Sequence, residues 1–107
     1  MINVTYKAEG AARELYCAGH ALYNPGNDVV CAAASALCGG LVAMLLKHRD
    51  DFISLLYKEN CGECRVVCAG EAAAPYFEFA LVGLSKLAEV FPENVRVSGY
   101  DESGGRP

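Results

Sequence analysis

The stretch from Val29 to His48 constrains this chain more than any other part of it. It is Ala-rich, carries no charge before Lys47, and is apolar on most sides near its start. Asp28 stands where a helix N-cap is expected, and the spacing predicts a helix from Val29 to about His48. Gly39-Gly40 is a local weakness in its middle, where small residues would let another backbone come close. A helix that is apolar nearly all round has to be covered. The material to cover it lies on both sides in the sequence.

Ile2, Val4 and Tyr6 alternate with Asn3, Thr5 and Lys7, the period of a strand with one buried face. Glu9 to Ala12 contains Gly10 and reads as a turn, and Leu15 to Gly19 as a second strand closing a hairpin. Unbroken alternation would put His20 on the face of Tyr16 and Ala18, with Cys17 opposite. Phe52 to Tyr57 and Arg65 to Ala69 read as two more strands around a hairpin turn at Glu59-Asn60-Cys61-Gly62. Pro75 suits the first position of a second helix, with Phe77, Ala80, Leu81, Leu84, Ala88 and Phe91 on its apolar face and Pro92 as its stop. Val95 to Gly99 is a last short strand. The predicted order is β-β-α-β-β-α-β. The fold class is α/β: a two-layer sandwich with a mostly antiparallel sheet and two helices on one face. A single domain over residues 1–100 and a flexible polar tail over 101–107 complete the reading.

Hydrophobic residues make up 53% of the 107, which excludes intrinsic disorder. The start of the chain has no basic n-region, so no signal peptide is expected. The apolar runs Ala32–Leu46 and Tyr76–Leu84 read as too short or too interrupted for a membrane span. A cytoplasmic protein without membrane contact is the expectation. The net charge of −4 and the lack of a basic stripe argue against direct nucleic-acid binding. There are six cysteines. Without a secretion signal these read as free thiols, metal ligands or catalytic groups.

One cysteine stands out. With Asp28 as N-cap, Cys31 falls at the third helical position, inside the first turn. There the helix dipole favours a thiolate, and unpaired backbone amides are at hand to bind a developing oxyanion. Asp28 organises the turn and is not the base. His20 lies eleven residues earlier, at a strand end, and its ordinary pKa of about 6.5 suits it to take a thiol proton and return it to a leaving amine. Ser35 is one helical turn after Cys31, placed to hold the thiol or to bond back to the helix. Cys38, a further turn on, reads as core. The plain alternative is that Cys31 is a small core residue and His20 a surface residue.

The run Gly19-His20-Ala21, then Gly26-Asn27-Asp28-Val29-Val30-Cys31-Ala32-Ala33, then Ser35, resembles the bacterial ribosomal-processing cysteine protease family, Prp. The likeness extends over essentially the whole chain. It implies a small homodimeric endopeptidase without cofactor or metal, which removes a short N-terminal extension from a large-subunit ribosomal protein. It implies Cys31 as nucleophile and His20 as base, with Gly19, Asp28 and Ser35 at the motif's other fixed positions. It also implies that Leu22, Tyr23, Asn24, Pro25, Gly26 and Asn27 form a mobile segment over the site, ordered when peptide binds. The implied substrate is a basic polypeptide, apolar and aromatic just before the cut. Tyr16, Tyr23 and Tyr57 are candidate walls for such a pocket, and the chain's negative charge suits a basic partner. An exposed apolar patch on the second helix, at Phe79 and Val82, is compatible with dimerisation.

Cys61-Gly62-Glu63-Cys64, with Cys68 after it, stands outside that motif. It supports an alternative reading as a thiol-redox or zinc-binding small protein. Against zinc, no second C-x-x-C or paired histidine supplies the remaining ligand. Against thioredoxin-like chemistry, the motif crosses a turn and does not open a helix. A non-catalytic ribosome-assembly adaptor on the same fold is the other alternative, opposed by the presence of both His20 and Cys31.

Overall fold

The alternation and the turns resolve into five strands and two helices in a computed structural model, which describes residues 1–60 and 62–101, the last two as backbone only. In chain order these are β1 (Ile2–Glu9), β2 (Ala12–Ala18), α1 (Val29–Lys47), β3 (Ser54–Asn60), β4 (Glu63–Ala69), α2 (Ala74–Val90) and β5 (Val95–Asp101). The expected order and the two-layer α/β architecture are what forms. The strands lie in the order β3-β4-β2-β1-β5. All pairings are antiparallel except β1 with β5, which run parallel because α2 carries the chain back across the sheet.

Backbone pairing continues where the side chains had suggested turns. Glu9 pairs with Ala12, so the first turn narrows to Gly10-Ala11 and β2 begins three residues before Leu15. Asn60 pairs with Glu63, so β3 and β4 run on through polar residues that face solvent. Asp101 pairs with Ala8, so the expected tail loses its first residue to β5. The rest of that tail, 102–107, lies outside the described residues, as does Cys61.

One stripe of α1 (Val30, Ala34, Cys38, Leu41, Val42 and Leu45) sinks into the core. It meets Ile2, Val4, Leu15, Cys17, Cys64 and Val66 from the sheet and Phe77, Ala80 and Leu84 from α2. By length and a mean hydropathy of 2.3, α1 is long and apolar enough to cross a membrane. The expectation of too short a run therefore fails on length, while the fold packs the helix onto a sheet. At the Gly39-Gly40 weakness, a Cβ on Gly39 would meet only Glu59 Oε2, at 3.4 Å. A Cβ on Gly40 would meet nothing within 4 Å, whereas one on Gly83 of α2 would lie 2.7 Å from Leu37 Cδ2.

Candidate active site

Asp28 caps α1 and does more than cap it. Its Oδ1 accepts from Val30 N at 3.0 Å and Cys31 N at 3.1 Å; its Oδ2 accepts from Tyr23 N at 2.9 Å and Asn24 N at 3.2 Å. One carboxylate thus ties the loop to the first turn of the helix. Desolvation acts to raise the Asp28 pKa, but the four backbone donors together hold it below the ordinary carboxylate value. The amides of Val30 and Cys31 are therefore committed to the cap. The first-turn amides expected to hold an oxyanion are, at these two positions, already taken.

Cys31 is half-buried at the mouth of a cavity of about 250 Å³. The backbone N–H of Ala21 donates to its Sγ at 3.2 Å. The carbonyl of the same residue accepts from Asn94 Nδ2 at 2.9 Å, so Ala21 is held from both sides.

His20 lines the same cavity and is exposed. It does not follow the alternation of β2 onto the face of Tyr16. The strand ends at Ala18, and Gly19 adopts a φ of +105°, which turns the chain and brings His20 round to the side of Cys17 and Cys31. Only glycine fits at 19, since a Cβ would lie 2.3 Å from the carbonyl oxygen of Met1. The imidazole then rests over Gly62, the residue opposite Gly19, whose amide region is locked by the bond from Gly19 N to Gly62 O at 2.9 Å.

The rest of the lining comes from Ile2, Cys17, Ala34, Cys38 and Cys64 on the inside and from Glu59, Asn60 and Glu63 at the rim. Ser35 also lines the cavity, yet its hydroxyl bonds neither the thiol nor a helix carbonyl. None of Tyr16, Tyr23 or Tyr57 belongs to the lining. Tyr16 donates to Glu63 at 2.7 Å and carries Arg65 over its ring. Tyr23 packs edge-on against Phe91 at 5.1 Å. The hydrogen bond from Tyr16 and the Lys58 ammonium beside it hold the Glu63 carboxyl below its ordinary value, so the rim stays anionic.

The segment 22–27 is exposed apart from its anchors. Those anchors are Asp28, the Tyr23–Phe91 contact, and the turn bond from Asn27 N to Asn24 O at 3.0 Å. Leu22 stands at a φ of +57°, the one non-glycine residue with positive φ among those described. Cys64 and Cys68 both point into the core from β4. Among the described residues no three His, Cys, Asp or Glu are grouped to hold a metal ion.

Sequence reasoning passed over three contributors. Gly62 looks like a turn residue in the sequence, and its place under the imidazole depends on a register no local signal reveals. Asn94 lies 73 residues from Ala21. The acidic rim comes from strand residues that looked like part of a turn.

Comparison with known proteins agrees with this fold. A curated Staphylococcus aureus protein, ribosomal processing cysteine protease Prp, is 27% identical over 101 residues, covering 91% of this chain and 95% of that one. The crystal structure of an essential Prp from S. aureus with a covalently linked product peptide superimposes with a TM-score of 0.77 at 26% identity, over 94% of this chain and 99% of that chain. A Streptococcus mutans protein of solved structure gives 0.71 at 28% identity, over 95% and 96% of the two chains. The family described as cysteine protease Prp matches residues 1–96, so the chain belongs to that family of ribosomal-processing cysteine proteases.

Proposed function

We propose that this protease is an endopeptidase that removes the N-terminal extension of a large-subunit ribosomal protein, with Cys31 as nucleophile and His20 as general base. The observation that carries the reading is the Ala21 N–H donating to Cys31 Sγ, with His20 one residue before that donor and in the same cavity. His20 takes the thiol proton as sulfur attacks the scissile carbonyl. The proton then passes to the departing amine, which leaves a thioester on Cys31. Water, deprotonated by His20, cleaves the thioester, and the thiol is restored. A covalent product peptide on the S. aureus relative agrees with a nucleophile of this kind. The apolar inner wall and the anionic rim suit a peptide that is apolar before the cut and basic overall. The same reading places the protein in the cytoplasm, where such a precursor is made, and pairs it as a homodimer.

The test is incubation with a peptide spanning the precursor's cut site. Wild-type protein is expected to cleave once at that site, Cys31→Ala to bind without cleaving, and His20→Ala to lose most of kcat. Cleavage that persists in Cys31→Ala removes Cys31 as nucleophile. Binding without turnover by the wild type favours an assembly adaptor.

A further inference from the structure

Three more cysteines line the same cavity as Cys31. Cys17 on β2 and Cys64 on β4 are direct partners in the antiparallel register, both buried and both facing the helices. Cys38 descends from α1 into the same core cluster and lies against both of them. All three line the cleft that opens to solvent beside Cys31, so a small solute entering it reaches them. The catalytic reading uses none of them. Among the described residues they do not form a metal site, and all three are free thiols.

Geometry selects which pair can join. Gly19 and Gly62 are opposite residues joined by a backbone bond, so they form a hydrogen-bonded pair; two residues along, Cys17 and Cys64 form another. Cβ atoms in directly opposed pairs sit roughly 4.5–5.5 Å apart, at or beyond the roughly 3.5–4.5 Å that a disulfide wants. Cys38 has no such constraint, since it meets the sheet from the helix layer with its thiol already in contact with both partners.

We propose that this trio is an oxidation site, at which a peroxide couples Cys38 to Cys17 or Cys64 in a reversible disulfide beneath the cleft. Contact with Cys38 draws the sheet thiols below their ordinary pKa, while those same neighbours, together with burial, push Cys38 up. One sheet cysteine is thus the thiolate that attacks the peroxide oxygen, with hydroxide leaving and a sulfenic acid forming. The Cys38 thiol then displaces water from that sulfenic acid. In total two thiols and one hydrogen peroxide become one disulfide and two waters. The bond brings the sulfurs to about 2.05 Å and draws the middle of α1 toward the sheet. Cys31 rides on the same helix, so the cleft and its nucleophile are displaced together.

The test needs no substrate and is independent of the proposed cleavage. The full chain carrying Cys31→Ala and Cys61→Ser retains Cys17, Cys38, Cys64 and Cys68. It is treated with hydrogen peroxide in small molar excess, quenched, denatured, alkylated and mapped by mass spectrometry. The expected product has lost two hydrogens, has two thiols left to alkylate, and shows Cys38 linked to Cys17 or Cys64. Dithiothreitol restores all four thiols, and adding Cys38→Ala to the same background abolishes the bridge while circular dichroism shows the fold retained. Four alkylated thiols after treatment overturn the proposal. So does a bridge through Cys68, one that persists in Cys38→Ala, or sulfinic acid formed with no bridge.

Discussion

Replacing Gly62 by alanine would put a methyl carbon 3.0 Å from His20 Nε2 and 3.2 Å from Cε1. Ordinary contacts between such atoms are about 3.5–4.0 Å, so the imidazole has to withdraw by roughly 0.5–1 Å. Misplacement of a reacting group by about 1 Å can cost a factor of about 100 in rate. The same substitution also forces a Cβ onto a φ of +81°, which costs on the order of 1–2 kcal/mol of stability. In a domain of this size that is a fall in Tm of about 4–8 °C per kcal/mol. Gly10 separates the two effects. It holds a φ of +59° in the β1–β2 turn, and a Cβ there meets nothing within 4 Å. Gly10→Ala and Gly62→Ala are therefore expected to lose comparable stability in urea denaturation. In a peptide-cleavage assay, however, only Gly62→Ala is expected to lose kcat/KM, by ten- to a hundredfold. A folded Gly62→Ala within twofold of wild-type kcat/KM would refute the view that His20 is positioned by this residue. A comparable loss in Gly10→Ala would show that activity follows general stability instead.

Asp28→Asn keeps one side-chain oxygen to accept from Val30 and Cys31 but places a donor against the amides of Tyr23 and Asn24. Peptide cleavage is expected to fall more than tenfold, well beyond what the drop in the urea midpoint accounts for; losses in proportion would mean that the loop tether has no separate role. The depressed Asp28 pKa gives a sign for pH dependence. The folded value lies below the unfolded one of about 3.9, so the contribution is fully present above that pH and is lost as pH falls through the folded value. Denaturation curves between pH 5 and pH 2 (roughly the carboxylate range) should show wild type losing more stability than Asp28→Asn, and parallel curves would contradict this. Phe77 is fully buried where α2 meets the core, and Phe77→Ala should cost about 3–5 kcal/mol by urea titration; a loss under 1 kcal/mol would mean the site collapses freely. Phe79 and Val82 of α2 are 75% and 61% exposed, and Phe79 lines a groove with Met44 of α1. Sedimentation is expected to give a dimer for wild type and a monomer for Phe79→Asp, and an unchanged mass would clear this face of the role.

Local pattern alone dictated the elements. The alternation of Ile2, Val4 and Tyr6, the Asp28 cap, the apolar run behind it and the spacing of Phe77, Ala80 and Leu84 each depend on neighbours within a turn or two. The order β-β-α-β-β-α-β followed, and so did the pairing of a histidine with a cysteine at a helix start. Element ends were less legible because strand pairing is fixed by the partner strand. Glu59, Asn60 and Glu63 look like turn residues but extend β3 and β4, since their backbones continue the ladder while their side chains meet water. The tyrosines expected to wall the pocket lie elsewhere, because wall residues are chosen by which strand face meets which helix stripe.

The long apolar helix shows the division most plainly. Its sequence determined that it would be a helix, that Asp28 would start it and that Cys31 would stand in its first turn. It did not determine what the helix lies against, and by composition alone the same run would suit a membrane. Tertiary packing decided that. It laid the stripe from Val30 to Leu45 on the sheet, turned His20 over Gly62 through the glycine at 19, and aimed the Ala21 amide at the sulfur. It also gathered Cys17, Cys38 and Cys64 under the cleft. Each of these joins residues far apart in the chain, and such contacts follow from register and layer packing, to which no local run of residues is sensitive.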